Sequence, residues 1–363
     1  MNNSQLSRIV LQGFRSIRAC DLELKELNVL IGPNGAGKSN FIEFFQLIRN
    51  ILESKLQPYV SKQGGPDALL HFGRKTTEGI SADLYFGEND ENGYKFTLKP
   101  TQDNMMMFEK ESYFWWSRSL RRQDKLTASS HFETIVESQK IYDDYVVPPM
   151  RSWRIYHFHD TSKTALVKRR HGINDNLYLS PDARNLAAFL YLLKDYYLPY
   201  YRRIVKVIQL AAPFFGDFLL RPQPDNREQI ELEWMHKGED VPFKAHLLSD
   251  GTLRFICLAT ILLQPEGFQP QTILIDEPEL GLHPFAINLL AALLRSASKE
   301  RQIVVSTQSV SLLNQFTAED IIVANRHEDC TYLQRLDPGA LESWLAEYSL
   351  GELWDKNLLG GRP

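Results

Sequence analysis

A chain of 363 residues with 43% hydrophobic and 24% charged residues has the composition of a globular protein with a sizeable core, which excludes wholesale disorder. Lys and Arg number 41 against 45 Asp and Glu, so the formal net charge of −4 excludes a histone-like basic protein while leaving room for a local basic patch. Cys20, Cys257 and Cys330 are widely spaced with no CxxC, which argues against a disulfide framework or a cysteine zinc site and for a reducing, cytoplasmic location.

The first ten residues show no basic segment followed by an apolar core, so no secretory leader is expected. The longest apolar run lies between Phe255 and Leu263 and falls far short of the ~20 residues that cross a bilayer. No membrane partner is expected.

In chain order, residues 8–13, 21–24 and 27–31 are predicted as short strands. Residues 39–52 carry Phe41, Ile42, Phe44, Phe45, Leu47, Ile48 and Ile51, the pattern of a largely buried helix. Segments 80–86 and 94–98 alternate apolar and polar residues around the loop 88–93, as a hairpin does. The stretch 101–240 differs in character, with a triple methionine, the pair Trp115 and Trp116, basic clusters and a helical run from 182 to about 210. Strand–helix–strand order returns with 271–276, 283–298 and 302–306, Pro284 standing in the first turn of the helix. The apolar runs 273–275 and 303–305 are continuous, as in a parallel sheet covered on both faces. The pattern predicts an α/β fold with a mixed or parallel sheet and a mostly helical insert. The expected divisions are an N-terminal lobe 1–100, an insert 101–240, a C-terminal lobe 241–335 and a tail 336–363.

Residues 32–39, GPNGAGKS, fit G-x-x-x-x-G-K-[ST] after an apolar strand and at a helix start. Asn34, Gly35, Ala36, Gly37, Lys38, Ser39 and Asn40 are therefore the candidate nucleotide cradle. Gly35 and Gly37 let the backbone curl so that N–H groups point at phosphate oxygens, and the positive end of the helix adds to that field. Lys38 reaches the β- and γ-phosphates, and the Ser39 hydroxyl ligates Mg²⁺. Residues 271–284, QTILIDEPELGLHP, are an apolar strand ending in two acids. Asp276 is the candidate Mg²⁺ holder and Glu277 the general base that polarises water. Neighbouring strand residues face opposite ways, so both serve one site only where the strand ends, and Pro278 ends it. In HLLSDGTLRF, residues 246–255, Ser249 and Asp250 are good helix caps and Gly251 permits close approach of a phosphate held by another chain. Taken alone, that segment is also an ordinary capped helix.

The order of phosphate loop, LSDGT helix start, IDEPELGLHP and VVSTQS resembles the ABC-type ATPases, and within them the RecF/SMC-like group. Asn40 in GKSN and the opening LQGFRSIRACDLEL are similar to RecF and SMC heads, whereas transporter ATPases usually carry GKST and LSGGQ. The tail LGELWDKNLLGGRP is similar to that of small bacterial ATPases of this group. The resemblance covers the two outer parts and only loosely the insert.

It implies a P-loop NTPase of the ABC head type, binding ATP and Mg²⁺ and competent as a homodimer with two ATP molecules sandwiched between its copies. Ser249 and Gly251 would contact the γ-phosphate held by the second subunit, and His283 falls near the D-loop, where partners communicate. Arg15, in GFRS, is a candidate contact near the base or phosphates. Lys38, Glu277 and Gln308 form the expected catalytic group. The switch position, usually His, is Gln308 here, which can orient water but cannot become a charged sensor, so slow hydrolysis is expected. Gln63 and nearby His71 are the candidates for the Q-loop.

OLD-type relatives add a nuclease after such a head, but fewer than sixty residues follow VSTQS, so a separate effector protein is expected. That organisation resembles operons of bacterial genome maintenance and phage defence. Rival readings are a DNA-binding repair clamp with nucleotide-gated grip and a non-catalytic, ATP-bound scaffold for a partner.

Two further constellations stand outside these motifs. His157 and His159 in RIYHFHD share one strand face with Asp160 next, which suits a transition metal or simply a half-buried strand. Arg118, Arg121, Arg122 and Lys125 follow the tryptophan pair, and Lys168, Arg169 and Arg170 follow later. They suit nucleic-acid contact by the insert, or a solvated face.

Overall fold

A computed structural model describes residues 5–87, 89–117, 121–136 and 146–361. A six-stranded core sheet runs in the order Cys330–Arg335, Ile321–His327, Leu27–Ile31, Gln302–Thr307, Thr272–Asp276, Arg154–Tyr156. All its pairings are parallel except that between the first two strands. The period-2 alternation of strands explains how continuous apolar runs are used. Val29, Ile31, Ile273, Ile275, Ile303 and Val305 enter the core on one face. Leu30, Leu274 and Val304 enter a second core on the other.

The first face is covered by the helices Leu186–Tyr196, Leu198–Ala211, Asp250–Leu263 and Pro284–Ser298. The second holds the helix Lys38–Leu52 beneath an antiparallel sheet. That sheet has the order Ile17–Glu23, Leu6–Phe14, Ile80–Phe86, Asn92–Pro100, Met106–Ser117, Arg122–Ala128. Phe45 of the helix meets Trp153 edge-on at 5.0 Å, fixing the two layers together.

The stretch 101–240 is richer in strand than expected, and the boundary at 100 falls inside a sheet. Met106–Ser117 pairs with Asn92–Pro100 and continues the N-terminal antiparallel sheet. Arg154–Tyr156 is an edge strand of the core sheet. The long helices of this stretch are Leu186–Tyr196 and Leu198–Ala211, broken at Tyr197 with Pro199 in the first turn of the second. Strand Met106–Ser117 hides its alternation because a carboxylate, Glu111, is fully buried at its centre. Tyr94 and Tyr113 hydroxyls at 2.9 and 3.0 Å, Thr134 Oγ1 at 2.6 Å and the Ile135 N–H at 2.9 Å donate to it, which offsets its loss of water.

The three cysteines are free and buried, and burial pushes the Cys20 and Cys257 thiols up to about 12. Among the described residues no helix is long and apolar enough to cross a membrane.

Candidate functional site

Parallel register brings four strand ends to one edge of the core sheet. Ile31 lies opposite Thr307, Ser306 opposite Asp276, and Ile275 opposite Tyr156. The glycine-rich loop, Gln308, Glu277 and His157 therefore all emerge at that edge, outside the carboxyl ends of the strands, where open α/β sheets bind ligands.

Gly37 caps the helix Lys38–Leu52 at φ 101°, a left-handed conformation open to glycine. A Cβ there would also meet Thr331 Oγ1 at 2.1 Å. Thr331 Oγ1 donates to the Ala36 carbonyl at 2.8 Å and shares a 2.7 Å hydrogen bond with Ser16 Oγ. Asn40 Nδ2 donates to Ser16 Oγ at 2.6 Å, so Asn40 braces the loop from behind. Asn34, Gly35 and Ser39 are exposed, as a cradle requires, whereas Ala36 is buried. Lys38 is also buried, its Nζ donating to the Gly32 and Pro33 carbonyls at 2.6 and 3.1 Å. Burial holds its ammonium below the usual lysine range, against the opposite pull of Glu277, Asp276 and Glu279.

The acids are held by the neighbouring strand. Ser306 Oγ donates to Asp276 Oδ1, and Gln308 Nε2 donates to Glu277 Oε1. Glu277 sits at φ 44°, a strained conformation for a non-glycine residue, fixed by its N–H donating to the Ser306 carbonyl at 2.9 Å. This turn lets consecutive acids serve one edge. Glu279 accepts from Thr307 Oγ1 at 2.5 Å, and burial raises its carboxyl above the usual range. Its Oε2 is buried without a partner among the described residues. Sequence reasoning missed Glu279, Ser306, Ser16 and Thr331; the acid two residues past Glu277 was the one available signal.

Ser249 caps the helix Asp250–Leu263, accepting from the Thr252 N–H at 3.1 Å. It lies in a separate cleft with Gly251, Gly281, Leu282, His283 and Ala286. His283 in turn caps Pro284–Ser298, its Nδ1 accepting from the Phe285 N–H. A Cβ on Gly251 would fall 2.1 Å from the Gly281 carbonyl oxygen, a backbone atom that cannot yield cheaply. Gly251→Ala is therefore expected to destabilise the chain by about 1–3 kcal/mol in denaturant unfolding, the cost of overpacking. Gly172→Ala, where a Cβ meets nothing within 4 Å, is the control and leaves the midpoint nearly unmoved.

Arg15 lines a cleft of 640 Å³ with Ser16, Phe72, Arg74, Lys75 and Arg326. The cleft adjoins the phosphate loop, since Arg326 Nη1 donates to the Gly35 carbonyl at 3.3 Å. The Arg15 guanidinium is already paired with Glu43 at 2.6 Å and with Gln63 Oε1 at 2.7 Å. His71 Nδ1 lies 2.7 Å from the Arg15 carbonyl oxygen. Gln63 and His71 thus belong to the Arg15 cluster and not to the acid edge; the residues following the strand beside Asp276 are His157–Asp160. Asp160 turns to its own loop, accepting from the Ser162 N–H at 3.1 Å.

Two residues of the insert's basic cluster, Lys168 and Arg170, are paired with acids. Lys168 lies 3.5 Å from Asp250, and Arg170 lies 2.7 Å from Asp225 and 3.6 Å from Glu231. Arg169, Arg121 and Lys125 are exposed. Arg118 lies outside the described residues, and the Arg122 side chain is likewise not described.

The fold and this loop-and-acid edge are similar to those of ABC-type ATPase heads of the RecF/SMC-like group. The chain belongs to the family described as "AAA domain, putative AbiEii toxin, Type IV TA system", whose model matches residues 27–314. A stretch of 83 residues is 35% identical to the DNA replication and repair protein RecF of Vibrio cholerae, covering 22% of this chain and 23% of that protein. A stretch of 83 residues is 41% identical to RecF of Acidothermus cellulolyticus, with 22% of each covered. The chain thus matches less than a quarter of the length of these curated relatives. The Smc head bound to the C-winged helix domain of ScpA superposes with a TM-score of 0.60 at 15% identity, over 93% of this chain and 99% of that one. The Pyrococcus furiosus Smc head with an extended coiled coil, bound to the C-terminal domain of ScpA, gives 0.56 at 14%, over 94% and 98%. At such identity the likeness is one of fold.

Proposed function

We propose that the chain binds and slowly hydrolyses ATP, dimerises around it, and acts as a switch or clamp in genome maintenance or phage defence through a separate effector protein. The observation that carries this reading is the gathering of Lys38, Asp276, Glu277 and Gln308 at one sheet edge while Ser249 and Gly251 line a different cleft. A triphosphate held at the loop is then completed by the capped helix of a second copy. Lys38 binds the β- and γ-phosphates, and the Arg15 cleft adjoining the loop receives the rest of the nucleotide. Glu277 takes the proton of the attacking water, with Gln308 holding the carboxylate in place. Ser39 and Asp276 supply hydroxyl and carboxylate oxygens, a hard donor set that suits Mg²⁺. When bound, that ion would neutralise charge on the transferred phosphoryl group.

Mixing experiments test the shared site. Lys38→Ala chains and Ser249→Arg chains are each inactive alone, and a mixture regains part of the ATPase rate because one composite site per mixed dimer is intact. No recovery on mixing removes the sandwich. Because Gln308 is a neutral amide, single-turnover hydrolysis is expected to be slower than ~10 s⁻¹, the median enzyme turnover.

The likeness to proteins named for DNA replication and repair favours a second reading, a clamp whose grip on nucleic acid is gated by nucleotide. Binding that weakens linearly in log affinity against log salt supports it, and a slope near zero removes it.

A further inference from the structure

The two imidazoles of the RIYHFHD segment acquire a third partner only in the folded chain. His157 and His159 are exposed on one side of the segment that follows the strand Arg154–Tyr156, while Phe158 between them is buried on the other. Ligand atoms of His157, His159 and Asp276 lie within 4.8 Å of one another. His159 Nε2 is 4.0 Å from Asp276 Oδ2, and the two imidazole centroids are 6.1 Å apart. A separation of 4.0 Å is too long for a hydrogen bond. Tetrahedral bonds of ~2.0–2.2 Å set two donors about 3.3–3.6 Å apart, so this pair has to close by about half an ångström to share an ion.

The segment is also held in place. The His157 N–H donates to the Pro181 carbonyl at 3.2 Å, and Arg254 Nε donates to the Phe158 carbonyl at 2.9 Å. The rings therefore need only rotate about their side-chain torsions to converge.

We propose that His157, His159 and Asp276 form a three-ligand site for a divalent transition ion such as Co²⁺, Ni²⁺ or Zn²⁺. Two imidazole nitrogens and one carboxylate select borderline ions over Mg²⁺, which prefers oxygen alone. Three protein ligands leave a coordination position open to water or to a phosphate oxygen. Because Asp276 is common to both donor sets, the transition ion and Mg²⁺–ATP oppose one another. Only this opposition rests on the nucleotide reading above; the site itself rests on its own geometry.

The probe is Co²⁺, titrated into the nucleotide-free chain and followed by its visible absorption. The expected result is one ion per chain, with affinity at least ~10-fold weaker in the His157→Ala/His159→Ala variant, the least that loss of even a ligand-orienting group costs. His157→Gln/His159→Gln, which keeps size and polarity, repeats the measurement should the alanine variant fail to fold. Equal Co²⁺ affinity in wild type and the folded variant overturns the site. ATP is titrated calorimetrically in parallel with Mg²⁺ present. Histidine-dependent Co²⁺ uptake without ATP binding supports the metal site and sinks the nucleotide reading. ATP binding without Co²⁺ uptake does the reverse.

Discussion

Glu277→Gln is expected to trap an ATP-bound dimer. The exchange keeps the side-chain length and one acceptor oxygen, so Gln308 Nε2 still has a partner and the strained turn at residue 277 is retained. What is lost is basicity. General-base removal costs roughly 10²–10⁴-fold in rate, so single-turnover hydrolysis falls by that range while ATP binding persists. Light scattering with ATP and Mg²⁺ then shows a dimer that wild type reaches only transiently. A variant that stays monomeric under those conditions refutes the sandwich, because nothing in the exchange weakens the surfaces that would meet.

Much of this site was legible because its chemistry is local in sequence. The loop 32–39 must be contiguous to curl around a phosphate, and the acids must follow an apolar strand directly. Those constraints also carried the parallel strands, whose unbroken apolar runs reflect two covered faces. The capped helices starting after Ser249 and His283 were readable for the same reason, since a cap acts within one turn.

The rest depended on tertiary pairing. Asn40 follows the cradle directly in sequence, but its amide donates to Ser16, which in turn meets Thr331 from a strand near the other end of the chain. Gly251 has, beside its expected place at a phosphate, a packing role, because its missing side chain lets the Gly281 carbonyl pass. No third ligand for His157 and His159 is apparent in their own segment, whereas the fold brings Asp276 of the neighbouring strand within 4.8 Å of both. Strand Met106–Ser117 escaped notice because Glu111 is buried where alternation calls for an apolar residue. In each case the deciding contact joins residues that no sequence window contains.

Lys38→Ala should abolish the response to nucleotide while sparing the fold. Among the described residues the ammonium bonds only to carbonyls of its own loop, at Gly32 and Pro33, and burial already works against its charge. Its removal relieves that desolvation as it removes those two bonds, so the resting melting temperature changes little. A triphosphate meets a different balance. Asp276, Glu277 and Glu279 all act on this one cation, and without it they face the polyanion uncompensated. Losing one partner of a buried charge pair costs about 3–5 kcal/mol, or roughly two to four orders of magnitude in affinity. ATP at ~100 times the wild-type dissociation constant stabilises the native chain by about 2.7 kcal/mol, and that gain should vanish in the variant. Calorimetric titration and thermal melting with and without ATP measure both effects. Undiminished ATP affinity in the variant would place the nucleotide somewhere other than this loop.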